Sequence, residues 1–155
     1  MQTNHKIYSG VFKRKLNCKE IAENTLKMLL SSYGYTLFMI TGIGIDIVEI
    51  SRFQKILQTE NFIEKCFSVE ERELDLQSLA GRFAAREALF KALDKKQFFR
   101  LSEIQIINEV CGQPKFVLSG GMLEYCKDKE IILTISHEIG YAVSFVLIQS
   151  INLEF

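Results

Sequence analysis

Gly81-Arg-Phe-Ala-Ala-Arg-Glu87-Ala-Leu-Phe-Lys91-Ala-Leu93 is the stretch whose reading decides the fold. It is alanine-rich, lacks proline and sets its charges into an otherwise apolar run. Leu79, Phe83, Ala84, Ala88 and Leu93 recur near helical spacing, which predicts a helix packed against the core. Glu87 and Lys91 stand four apart, so they emerge from one face, one turn above the other. Arg82 and Arg86 form a second four-spaced pair, offset around the axis. Taken alone, such a Glu–Lys pair is an ordinary helix stabiliser.

Upstream, Ile40 to Val48 reads as a strand in which Ile43, Ile45 and Ile47 alternate with Gly42, Gly44, Asp46 and Val48. The isoleucine face is expected to pack inward, leaving two bare glycines and one carboxylate on the other. Glycines in a strand mark close approach of a ligand or another backbone. From Glu49 or Ile50 the pattern turns helical, with Ile50, Phe53 and Leu57 as a stripe and Arg52 and Lys55 off it. Asn61 to Phe67 continues as a short helix. Ser68-Val-Glu-Glu71 fits a capping box, leading into a helical run with a break near Asp75 to Ser78.

Downstream, Asp94 to Gln97 is a polar terminator. Glu103–Asn108 and Lys115–Leu118 form a hairpin around Cys111-Gly-Gln-Pro114, which holds the chain's only proline. Gly120-Gly121 opens a helix to about Lys127. Strands Ile131–Ser136 and Tyr141–Gln149 flank a tight link at 137–140. Hairpins on either side of helices predict an α+β fold with an antiparallel or mixed sheet packed on helices.

At 155 residues the chain suits one domain with a sizeable core. The net charge is zero but uneven: residues 1–38 carry six Lys/Arg against two acids, leaving 13 basic and 17 acidic residues beyond. Such a body lacks the basic stripe of a nucleic-acid binder. Four scattered cysteines and two histidines give no zinc spacing and no disulfide framework, so reduced thiols in a cytoplasmic protein are expected. No apolar run approaches the ~18–20 residues of a membrane span. Met39 sits at the composition change and is expected to begin the domain, 39–155. Residues 1–38 are then an N-terminal extension, with a short amphipathic helix at 19–30.

Asp46 and Glu87 are two carboxylates that can hold a hard divalent cation if strand and helix pack together, with Lys91 neutralising phosphate. Taken alone, Asp46 reads better as a cap for the helix that follows. His137, at a strand end, taken alone reads better as an ordinary turn residue than as a functional one. No P-loop, dinucleotide fingerprint or nucleophile elbow is present.

These pieces, in this order, resemble a known family. Gly42-Ile-Gly-Ile-Asp46-Ile-Val-Glu49-Ile-Ser-Arg52 is similar to its opening motif, and Leu79-Ala-Gly-Arg82-Phe-Ala-Ala-Arg-Glu87-Ala-Leu-Phe-Lys91-Ala to its central one. Gly112-Gln-Pro114 and Ile135-Ser-His137-Glu, followed by Tyr141-Ala-Val-Ser, complete the set. The family is the bacterial holo-[acyl-carrier-protein] synthases, a class of 4′-phosphopantetheinyl transferases. The resemblance covers essentially all of 39–155.

The resemblance implies transfer of 4′-phosphopantetheine from coenzyme A to a serine of apo-acyl carrier protein, leaving 3′,5′-ADP. It implies a Mg²⁺ ion on Asp46 and Glu87 and a phosphate contact from Lys91. Arg82 and His137 match positions at the nucleotide end, Gly112 and Pro114 the turn beside the adenine. Arg52 matches a basic residue of the helix that docks the acidic carrier protein. The family's homotrimer, with each site at a subunit boundary, is implied too. Two departures stand out: Leu93–Phe99 replaces a Gly-Thr-Gly-type loop, and the 38-residue leader is extra. The altered loop motivates an alternative, a non-catalytic relative that binds coenzyme A or carrier protein. A nucleotide-binding fold of the actin or ribonuclease H kind, which also places Asp on a Gly-Ile-Asp strand, lacks here its further strand-borne acids.

Overall fold

The computed structural model describes residues 25, 28–29, 38–93 and 99–151. Strand β1 (Phe38–Glu49) is followed by helices α1 (Ile50–Ile56) and α2 (Phe62–Cys66), a 3-10 turn (Glu71–Glu73) and the long helix α3 (Leu76–Ala92). A second 3-10 turn (Leu101–Glu103) leads into the β2 (Ile104–Asn108) and β3 (Pro114–Leu118) hairpin, helix α4 (Gly120–Cys126) and strands β4 (Lys129–Glu138) and β5 (Tyr141–Ile151). The strands form two antiparallel sheets, β1-β5-β4 and β2-β3. This is the α+β arrangement that the hairpins predict. Thr25, Met28 and Leu29 are helical and exposed; the rest of the expected leader helix lies outside the described residues.

Helix α3 lies against the three-stranded sheet, and residues on most of its circumference are buried, from Leu79 through Ala85 and Arg86 to Ala92. Its small residues let its backbone come close to β1. A Cβ on Gly42 would stand 1.9 Å from the Ala92 carbonyl oxygen, and one on Gly44 1.9 Å from that of Ala88. The glycines therefore face inward, where helix backbone takes the place of side chains. The expectation that the isoleucines pack inward is overturned: Ile43, Ile45 and Ile47 are 58%, 59% and 63% exposed. Alternation shows that a strand has two faces; the helix backbone decides which is covered.

The stripe Ile50, Phe53 and Leu57 does turn inward: Ile50 and Phe53 are buried, and Leu57 packs on their cluster with Phe67, Leu79 and Ala80. A second cluster joins Leu89, Ile104, Ile106, Met122 and Val146. The capping box at Ser68 closes, with Ser68 Oγ accepting from Glu71 N at 3.3 Å and Glu71 Oε2 accepting from Ser68 N at 3.0 Å. It caps only the 3-10 turn. The chain is extended at Leu74 and Asp75, and Asp75 caps α3, its Oδ1 accepting from Ser78 N at 2.9 Å. These hydrogen bonds hold the Asp75 carboxyl below its ordinary pKa, that from the Ser78 amide most strongly.

Gly44→Ala places a methyl group into the Ala88 carbonyl. It is expected to destabilise the protein by at least the ~1–3 kcal/mol of ordinary overpacking, read from urea unfolding. An unchanged midpoint would mean that the strand and helix are not held this close.

Candidate active site

Asp46 lies two residues beyond Gly44 on the face that meets α3, so the close strand–helix contact carries its carboxylate to the helix's last two turns. Lys91 Nζ donates to Asp46 Oδ1 at 2.6 Å and to the Ile45 carbonyl at 3.1 Å. The lysine side chain is half exposed, so this ion pair contributes little to stability. Glu87, one turn earlier on the same face, has its carboxyl pushed above the ordinary value by burial and then by the Asp46 charge, with Lys91 pulling the other way. A cavity of about 470 Å³ is lined by Asp46, Glu49, Arg52, Phe83, Glu87 and Tyr141 among others. Strand β1, helix α3 and helix α1 thus bring Asp46, Glu87 and Arg52 to one opening, with Lys91 on its Asp46.

The other sequence-derived candidates gather elsewhere. Arg82, Gly112, Pro114 and His137 line a separate cavity of about 210 Å³, with Ser78, Asn108 and Ile135. Gly112, at φ 86°, makes the tight hairpin turn that a side chain would strain, and its N donates to Glu109 O at 2.8 Å. Arg82 and Glu87 are five residues apart on α3, about 140° around the helix axis, so they serve different openings. Of the Leu93–Phe99 loop, residues 94–98 lie outside the described residues, Lys95 and Lys96 among them.

Sequence reasoning missed the group that holds Arg82 in place. Arg86 is fully buried; its Nη2 donates to Glu71 Oε2 at 2.6 Å and to the Ile104 carbonyl at 2.8 Å, and its guanidinium lies 4.8 Å over the Phe67 ring. Glu71 Oε1 also accepts from Ile106 N at 3.2 Å and stands 3.8 Å from Arg82 Nε. The available signal was a second arginine in an alanine run too apolar to have a wet face.

Among the described residues no three His, Cys, Asp or Glu side chains come together as a metal cluster. A divalent ion on Asp46 and Glu87 would complete its shell with water and substrate oxygens, which suits a hard ion such as Mg²⁺. The Glu87 carboxyl is raised by its burial first and by the Asp46 charge second, and a cation between the two carboxylates would relieve both, a donor set that fits a hard ion.

Residues 42–145 match the family model of the 4′-phosphopantetheinyl transferase superfamily. The chain belongs to this superfamily. It is 37% identical over 122 residues to the holo-[acyl-carrier-protein] synthase of Clostridium tetani, covering 72% of this chain and 97% of that protein. To the synthase of Leifsonia xyli subsp. xyli it is 36% identical over 115 residues, covering 72% of this chain and 98% of the other. Among solved structures, the Bacillus anthracis synthase in complex with CoA (3′,5′-ADP) superposes with a TM-score of 0.61 at 33% identity, covering 72% and 98% of the two chains. The Plasmodium yoelii holo-ACP-synthase gives 0.66 at 28% identity, covering 75% and 99%. The superfamily match begins at Gly42, the first glycine pressed against α3.

Because the folded protein raises the Glu87 pKa, native Glu87 binds more protons than the unfolded chain between the unfolded value, about 4.3, and the raised one. Stability therefore falls as pH rises through that window. In EDTA, Glu87→Gln is expected to melt higher than wild type at neutral pH, with the gap closing below about pH 4. Identical melting temperatures across the range would refute the strained carboxylate pair.

Proposed function

We propose that the protein is a holo-[acyl-carrier-protein] synthase, moving 4′-phosphopantetheine from coenzyme A to a serine of apo-acyl carrier protein. The observation that carries this reading is the meeting of Asp46 and Glu87 at one opening, with Lys91 bonded to Asp46, in a chain that aligns with such synthases over nearly their whole length. The serine hydroxyl attacks the phosphorus that bears pantetheine. The bond from that phosphorus to the bridging oxygen breaks, and 3′,5′-ADP leaves with the electron pair. The serine proton passes to a carboxylate or to solvent.

Asp46 and Glu87 would hold Mg²⁺, which would offset the charge developing at the attacked phosphorus. Lys91, reaching from the helix across Asp46, binds a phosphate oxygen and offsets charge on the leaving group. Arg82, Gly112, Pro114 and His137 take the nucleotide end, and Arg52 on α1 meets the acidic carrier protein. The free thiols of Cys66, Cys111 and Cys126 accord with a reducing cytoplasm. Among the described residues no helix is long and apolar enough to cross a membrane.

Assembly as a homotrimer belongs to the same reading. The outward face of β1-β5-β4 carries Ile43, Ile45 and Ile47 beside exposed Phe145 and Ile132, an apolar patch of the kind that interfaces cover. In the proposed homotrimer this face would be covered, with each site at a subunit boundary.

Mass spectrometry of apo-acyl carrier protein with this protein, coenzyme A and Mg²⁺ is expected to show the gain of one phosphopantetheine, absent in EDTA. Asp46→Ala and Glu87→Ala should each slow transfer at least ~10²-fold without lowering the melting temperature. Near-normal turnover in either would remove the metal assignment. Coenzyme A binding without transfer by the wild type would favour the non-catalytic alternative. Sedimentation should give a trimer for wild type and a monomer for Ile45→Glu; a monomeric wild type would sink the trimer.

A further inference from the structure

Asn108 ends β2 at the neck of the hairpin, paired with Pro114, and lines the same cavity as Arg82 and His137. Arg82 is only 9% exposed, and its guanidinium can only donate, so the Asn108 atom 3.3 Å from Nη2 is the amide oxygen. Among the described residues this is the only hydrogen bond that the guanidinium makes. Its Nε has none, and Glu71 stands 3.8 Å away, its oxygens taken up by Arg86 and by the Ser68 and Ile106 amides. With Oδ1 so engaged, Asn108 Nδ2 is turned from the arginine and meets no protein acceptor among the described residues. A charged fork and a neutral amide donor thus stand side by side on one small cavity.

We propose that Asn108 is a positioning and specificity residue for the nucleotide end of the donor: Oδ1 fixes Arg82, and Nδ2 adds a second donor that selects a phosphate monoester over a free ribose hydroxyl. This rests on the transferase reading above. A terminal phosphate offers three acceptor oxygens and a charge that repays the desolvation of the buried guanidinium. A hydroxyl offers one acceptor and no charge. Burial lowers the Arg82 pKa, with Glu71 pulling the other way; a guanidinium stays protonated in a protein all the same, so the pocket offers a cation to an anion.

Asn108→Asp separates this role from mere anchoring of the hairpin. The carboxylate keeps, and strengthens, the bond to Arg82, while it removes the donor and cancels the charge. Calorimetric titration of the full chain with 3′,5′-ADP and with 5′-AMP should show a wild-type preference for 3′,5′-ADP of about tenfold or more. Asn108→Asp should lose most of it at an unchanged melting temperature, and Asn108→Ala, which only loosens Arg82, should lose part. In turnover, Asn108→Asp should raise the KM for coenzyme A about tenfold more than that for 3′-dephospho-coenzyme A. An Asn108→Asp protein that keeps the wild-type preference, or a wild type that has none, overturns the proposal. A wild type that shows the preference but performs no transfer would count against the transferase reading alone and leave the phosphate subsite standing.

Discussion

The structure depends on a backbone-to-backbone contact: α3 lies on β1 with no side chain between them at Gly42 and Gly44. Any Cβ at either position would push the helix off the strand. That spacing decides the chemistry, because Asp46 is rooted on the strand while Glu87 and Lys91 are rooted on the helix. An interposed methyl group would displace one set relative to the other by more than the tolerance of a 2.6 Å hydrogen bond. It also decides the surface: with the glycine face used up by the helix, the isoleucines have nowhere to go but outward.

A second constraint fixes the middle of α3. The Arg86–Glu71 pair is buried, so it carries a desolvation penalty and adds little by its presence alone. Breaking it by removing one partner leaves an unpaired buried charge, typically a loss of about 3–5 kcal/mol. Its value lies in what it joins. Through one carboxylate and one guanidinium it ties the capping turn at Ser68, the first residues of β2 and the middle of α3. Arg82, one turn before Arg86, inherits a fixed position from that knot.

Much of this was legible in the sequence, for reasons that differ by residue. The α+β class followed from hairpins around helices, whereas Asp46, Glu87 and Lys91 each have an ordinary structural reading alone and stood out through the two motifs that carry them in order. The inward face of β1 was not legible, since alternation is symmetric until something covers one side. Asp75 was overlooked as the cap of α3 because Ser68 and Glu71 already satisfy the pattern of a helix start. Arg86 was read as one of a pair because spacing alone does not separate a buried arginine from an exposed one. Its partner Glu71, in turn, was accounted for by the capping box. Where one residue serves two structures, the sequence pattern exposes only the nearer one.

The arrangement on α3 has a consequence for how a long substrate is held. Arg82 and Glu87 diverge around one helix, so the anion pocket and the carboxylate pair of a single chain open in different directions. Coenzyme A must present its pyrophosphate to one and its nucleotide end to the other. In the homotrimer proposed above, neighbouring copies would supply the two openings that one donor molecule meets. The exposed isoleucine face is the surface such a copy would cover, and the same glycine contact that sets the carboxylates also creates that face.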